Sequence, residues 1–257
     1  MARTMPEAFR LDGRVALVTG AATGLGAGIA VMLARQGADV AISDRPGVVL
    51  NETAERLRAY GHRVFSFAMD VRDGAQLTAG AAAARNEFGA IDILVNNAGI
   101  NRPAPGLELT ETEWDDHFDT NARGGFFLAQ KLVPEMIERR WGRVIWISSQ
   151  AGLVGVPGQP AYCSSKGAVV QLVRTLGVEW AKHGITVNSV APTFVETDLT
   201  RERLNRPEFL RFVLNKIPAG ELAKVEDVAA AVAYLASAEA RMVNCHQLSV
   251  DGGWTAW

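Results

Sequence analysis

Val15-Ala16-Leu17-Val18-Thr19-Gly20-Ala21-Ala22-Thr23-Gly24-Leu25-Gly26 stands near the start of a 257-residue chain. Its first five residues are apolar or β-branched without polar alternation, the pattern of a strand covered on both faces. A glycine-rich turn follows at once. Residues 28–36, with Ile29, Met32 and Leu33 at helical spacing, read as a helix. Strand, glycine turn and helix in that order bring backbone N–H groups and a helix N-terminus against a pyrophosphate. Gly20, Thr23, Gly24, Leu25 and Gly26 are therefore candidate dinucleotide-binding residues.

The same rhythm continues along the chain. Extended runs are expected at 39–43, 63–68, 91–95, 144–147, 185–190 and 247–250, and helices at 52–60, 75–88, 126–139, 162–182 and 225–236. Strands this apolar imply a doubly wound parallel sheet with helices on both faces, in one α/β domain spanning 1–257. Residues 193–219 break the rhythm and carry Arg201, Arg203, Arg206 and Pro207; they are the expected lid over the substrate.

Composition excludes several classes. The chain is 48 % hydrophobic and 21 % charged with a formal net charge of -2. No basic field invites nucleic acid, and no apolar run approaches a membrane span. Four histidines are scattered and there is no Cys-x-x-Cys, so no metal site is expected. Only Cys163 and Cys245 occur, which excludes a disulfide framework and suits a reduced, cytoplasmic setting. A serine hydrolase fails for want of a Gly-x-Ser-x-Gly elbow.

Two further patterns carry chemistry. Asp44 closes the second extended run, where a carboxylate accepts hydrogen bonds from the adenosine ribose and repels a 2′-phosphate. Arg45 follows and works the other way; the carboxylate is expected to prevail, giving NAD over NADP. Tyr162 and Lys166 are four residues apart on an expected helix and so share a face. A phenol is a weak base at neutral pH, and a fixed cation nearby makes its ionised form more accessible. The pair supplies a base for the proton of an alcohol that is losing hydride.

The glycine turn, Asn96-Asn97-Ala98-Gly99 after the fourth strand, and Tyr162…Lys166 together resemble the short-chain dehydrogenase/reductase family over nearly the whole chain. The resemblance implies a seven-stranded Rossmann sheet and an NAD(P)-dependent oxidoreductase. It implies catalytic roles for Asn121, Ser149, Tyr162 and Lys166, with Ser148 structural. It adds Asp70, Val71, Asn97, Ala98, Gly99, Pro192, Val195 and Thr197 to the cofactor set, beside Tyr162 and Lys166. It also implies a homotetramer, which the surplus apolar residues of the helices around Phe126–Ile137 and Val169–Trp180 support. Two departures stand out: Thr193 where glycine is usual after Pro192, and Asn244-Cys245 where Thr-Gly is usual.

Substrate residues are sought near the catalytic set. Asn101, Arg102, Gln150, Gln159 and Cys163 are the candidates, with Arg102, Gln150 and Gln159 foremost. Amides and an arginine suit a hydroxylated or anionic small molecule. Cys163 reads as a packing residue. The Ile100-Asn101-Arg102 run and the Asp-Gly-Gly-Trp ending are similar to sugar, polyol and sugar-acid members of the family. A 3-oxoacyl thioester reductase is the alternative within the family, and a non-enzymatic cofactor-sensing protein the remote one. Trp254 and Trp257 are expected to be exposed and to cover a subunit contact.

Overall fold

The first strand shows how the sheet is covered. Ala16 and Val18 face one apolar core, and Leu17, between them, faces the other. Successive side chains of a strand point to opposite faces, so an uninterrupted apolar run requires cover on both sides. Ile93 and Val95 against Leu94, and Ile145 and Ile147 against Val144 and Trp146, repeat the pattern.

The computed structural model describes residues 8–256. The strands are β1 (Val15–Thr19), β2 (Asp39–Asp44), β3 (Val64–Ala68), β4 (Ile93–Asn96), β5 (Gly142–Ile147), β6 (Ile185–Pro192) and β7 (Gln247–Val250). All pair in parallel in the order β3-β2-β1-β4-β5-β6-β7. The helices are α1 (Gly24–Arg35), α2 (Asn51–Arg58), α3 (Gly74–Phe88), α4 (Glu111–Phe118), α5 (Gly124–Glu138), α6 (Pro160–Trp180), α7 (Asp198–Leu204), α8 (Pro207–Lys216) and α9 (Val225–Ala236). Helices α1 and α9 cover one face; α3, α5 and α6 cover the other. The strand order reverses between β1 and β4, and a crevice opens there beyond the carboxyl ends of the strands.

The expected elements are present, with ends displaced by a few residues. Helix α1 starts four residues before the expected Gly28, directly in the glycine turn. The segment before α5 is helical too: α4 runs through a π-helical turn, Asp119–Arg123, into α5. Thr110 and Glu113 form a capping box that starts α4. Residues 193–219, expected as a lid, contain α7 and α8.

Trp254 is a correction. It is 8 % exposed and packs with Leu204, Val213 and Ile217 in a third, smaller core. Its ring lies 5.7 Å from that of Phe194. Asp251 holds it there by accepting from Gly253 N (2.9 Å), Thr255 N (3.0 Å) and Thr255 Oγ1 (2.6 Å). Aromatic area buried within the chain is the reason a large side chain is tolerated so near the C-terminus. Trp257 lies outside the described residues.

Both departures have a local explanation. Thr193 does not adopt a positive φ, so glycine is not required; its N–H continues the pairing to Val250 O at 3.1 Å. Cys245 does take the left-handed conformation, with φ of 59°. Asn244 ties the bend down, accepting from Val187 N (2.7 Å) and donating to Gly177 O (2.9 Å).

Candidate active site

The crevice is built around the turn after β1. Gly26 has no room for a side chain: a Cβ there would lie 2.1 Å from Gly20 O and 2.5 Å from Asn97 Nδ2. Asn97 holds the turn by donating to Thr19 O (3.0 Å) and Gly20 O (2.8 Å). Thr19 Oγ1 accepts from the N–H groups of Asn97 and Ala98, both at 3.1 Å. The end of β1 and the end of β4 are thus locked together, with the N-terminus of α1 opening between them. Thr19 was not singled out from the sequence, although it borders the glycine turn.

The cavity has a volume of about 650 Å³. It is bordered by Gly20, Thr23, Gly24, Leu25 and Gly26 from the turn, and by Asp44 and Arg45 from the end of β2. Asp70 and Val71 follow β3, and Asn97, Ala98 and Gly99 follow β4. Pro192, Val195 and Thr197 border it from the end of β6, Ser149 from the end of β5, and Tyr162 and Lys166 from α6. Asp44 accepts from Ala22 N (3.1 Å) and Arg45 N (2.8 Å). A carboxylate has about four lone-pair sites, so roughly two remain for ribose hydroxyls. The elongated space, the backbone-lined turn and the acid at the strand tip fit a dinucleotide.

Tyr162 and Lys166 both lie on α6, which Pro160 opens at its first position. Lys166 is buried, and its Nζ donates to Ile147 O at 2.8 Å while lying 5.7 Å from the Tyr162 ring centroid. Burial brings its pKa down to about 8. Burial also pushes the Tyr162 phenol above its ordinary pKa, with the Ser149 hydroxyl pulling it back in part. The sequence reading expected the ammonium to lower the phenol's pKa. In the chain by itself burial is the largest influence on the phenol, and the ammonium, bonded to Ile147 O, does not lower it.

Asn121 sits in the π-helical turn and does not border the cavity. It accepts from Ile100 N (2.8 Å) and donates to Ile100 O (3.1 Å) and Ser165 Oγ (2.9 Å). It therefore fixes the strand-end segment Gly99-Ile100 against α6 one residue before Lys166. Ser148 is buried and donates to Lys166 O at 3.3 Å.

The substrate-side candidates separate. Arg102 borders the cavity, but its guanidinium pairs with Asp116 at 2.6 Å. Asp116 also pairs with Arg72 (3.2 Å), which in turn binds Asp70 (2.8 Å), so an ionic chain runs along the rim. His117, fully buried, accepts from Arg102 N at 3.1 Å and thereby positions that loop. His117, Asp116 and Arg72 were missed from the sequence; the capping box that begins α4 was the available signal. Asn101 borders the cavity and donates to Gln159 Oε1 at 2.8 Å. Gln150 and Gln159 are buried and stand outside the cavity lining. Cys163 and Cys245 are unpaired. Among the described residues no cluster of His, Cys, Asp or Glu could hold a metal ion, and no helix is long and apolar enough to cross a membrane.

A Rossmann sheet with this crevice and a Tyr–Lys pair at its mouth defines a nicotinamide-dependent oxidoreductase acting on alcohols or ketones. A family model described as enoyl-(acyl carrier protein) reductase matches residues 20–255. The chain belongs to the short-chain dehydrogenase/reductase family. It is 43 % identical over 255 residues to D-threitol dehydrogenase of Mycolicibacterium smegmatis, covering 96 % of this chain and 95 % of that one. It is 36 % identical over 250 residues to gluconate 5-dehydrogenase of Gluconobacter oxydans, covering 97 % and 98 %. Among solved structures, a gluconate 5-dehydrogenase from Burkholderia cenocepacia J2315 in complex with NADP and tartrate superposes with a TM-score of 0.93 at 37 % identity, covering 98 % of each chain.

Proposed function

We propose that this chain oxidises a secondary hydroxyl of a polyol, sugar or sugar acid, with NAD as the preferred cofactor. The observation that carries the reading is the convergence of Ser149, Tyr162 and Lys166 on the crevice lined by the glycine turn. The similarity to threitol and gluconate dehydrogenases supports the substrate class.

In this mechanism the Ser149 hydroxyl hydrogen-bonds the reacting oxygen and Tyr162 takes its proton. The bound nicotinamide supplies the hydride acceptor. Lys166 carries the positive charge that holds the phenolate, and the Ile147 carbonyl anchors its ammonium. Asn121 keeps the Gly99-Ile100 segment in place behind it. Ketone reduction is the reverse, with Tyr162 as acid. Asn101, at the cavity border, serves the hydroxyls of the substrate; Gln159 holds it there, and Gln150 is buried away from the lining. Arg102 serves a carboxylate with the N–H donors that Asp116 leaves over.

Asp44 supports NAD, since its carboxylate is fixed by two backbone N–H groups at the strand tip. Arg45 beside it and the NADP of the Burkholderia structure weigh on the other side. Residues 193–219 act as the lid in this reading, because Thr193, Val195 and Thr197 border the cavity while α8 rests on its own core. The assembly is a homotetramer through α5 and α6, supported by the partly buried Phe126, Phe127, Leu172 and Trp180 together with the exposed Val178. Two unpaired cysteines suit a reduced cytoplasm.

The alternative, reduction of a 3-oxoacyl thioester, is supported by 37 % identity over 246 residues to the 3-oxoacyl-[acyl-carrier-protein] reductase of Thermotoga maritima. Nicotinamide absorbance with a panel of polyols, aldonates and acetoacetyl thioesters, each with NAD and NADP, tests both readings. Turnover of the thioester alone overturns the proposal.

A further inference from the structure

Helix α4 and the π-helical turn that continues it hold the loop after β4 at two alternate residues. Asn121 accepts from Ile100 N at 2.8 Å, and His117 Nε2 accepts from Arg102 N at 3.1 Å. The two side chains are four residues apart, so they reach the loop from one side of the helix. The other ring nitrogen of His117, Nδ1, lies 2.6 Å from Glu113 O. A carbonyl oxygen only accepts, so the proton sits on Nδ1 and the lone pair of Nε2 faces the loop. Asp116, the preceding residue, accepts from the Arg102 guanidinium at 2.6 Å, so one stretch of α4 holds Arg102 by its backbone and by its side chain. Ile100, Asn101 and Arg102 all border the cavity. His117 itself is fully buried, where an apolar side chain would fill the space without a polar group to satisfy. What the imidazole adds at this place is the bond to the loop.

We propose that His117 is a positioning residue for substrate recognition: through Arg102 N it sets the place of Asn101 and Arg102 relative to the catalytic groups. Its effect falls on substrate binding alone. Ile100 keeps its own tie to Asn121, and the glycine turn is held by Asn97 and Thr19, so neither the catalytic set nor the cofactor crevice depends on the imidazole. The inference rests on the reading that Asn101 and Arg102 serve the substrate, and it adds the residue that fixes them.

The test measures kcat and KM for threitol in wild type, His117→Leu and His117→Gln. Leucine fills the site and bonds nothing, whereas glutamine brings an acceptor to the position of Nε2. His117→Leu should raise the KM for threitol by about 10-fold or more, with kcat and the KM for NAD within about threefold of wild type. His117→Gln should return the KM for threitol to within about threefold of wild type. If His117→Leu does not fold, His117→Asn takes its place: it keeps a donor for Glu113 O and is too short to reach Arg102 N. A KM for threitol unmoved by loss of the acceptor, a KM for NAD that rises in step with it, or a glutamine variant no better than leucine overturns the inference. If wild type turns over acetoacetyl thioesters and not threitol, the polyol reading falls, and the same variants test the inference on the thioester.

Discussion

The ammonium of Lys166 is turned toward the carbonyl of Ile147, 2.8 Å away, and lies 5.7 Å from the ring of Tyr162. Gly99 makes the room: a Cβ there would lie 3.2 Å from Asn121 Oδ1 and 3.4 Å from Lys166 Nζ. The lysine is anchored to the sheet and reaches the Tyr162 phenol only through space, so burial is what acts on its charge.

This has a pH consequence. With the folded pKa at about 8 and the ordinary value at 10.5, the unfolded chain binds more protons between those limits. Stability therefore rises with pH across that window as the buried ammonium is discharged, by up to about 3 kcal/mol from this group. Other groups titrate there as well, so the readout is a difference. Urea unfolding at pH 8 and pH 10 should show wild type gaining on Lys166→Met. An equal response of the two chains would place the lysine in contact with water.

Tyr162→Phe removes only the hydroxyl. Turnover of the best alcohol should fall by about 10³-fold, the scale of a lost general base. Cofactor affinity, measured by fluorescence titration, should change by less than about threefold, because the glycine turn is untouched. A variant that kept its rate would place the proton acceptor elsewhere.

Asp44→Ser removes the carboxylate proposed to face the 2′ position. The kcat/KM ratio of NADP to NAD should rise by about 10–100-fold, with Arg45 then unopposed. If the ratio stays put, cofactor choice lies with Arg45 or Thr23 instead.

The sheet was legible because β1, β4 and β5 are apolar on both faces, and only a doubly covered strand has that composition. The crevice was legible because its parts, the glycine turn, Asp44 and the Asn-Asn-Ala-Gly run, are local in sequence. Helix α4 was not, since its buried content is His117 and its other faces are charged. Trp254 was read as exposed because its partners Leu204, Val213 and Ile217 lie far from it in sequence. The Asn101–Gln159 bond joins residues 58 apart, and such a pairing is invisible until β4 and α6 are placed side by side.

Cys245 occupies a left-handed backbone position that suits glycine. Cys245→Gly should raise stability by about 0.5–1 kcal/mol, as relief of that conformation exceeds the added freedom of the unfolded chain. Thermal unfolding of the two chains checks it. A lower Tm would mean that the sulfur's contact with Gly177 matters more than the backbone.

The apolar cluster of Leu204, Val213, Ile217 and Trp254 is separate from the two large cores that hold the sheet. In the proposed lid this small oily underside is its own, so α7 and α8 detach at little expense to the rest of the molecule. Amide hydrogens of α7 and α8 should consequently exchange well before those of β4 and β5, so that the proposed lid swings while the glycine-turn crevice stays rigid.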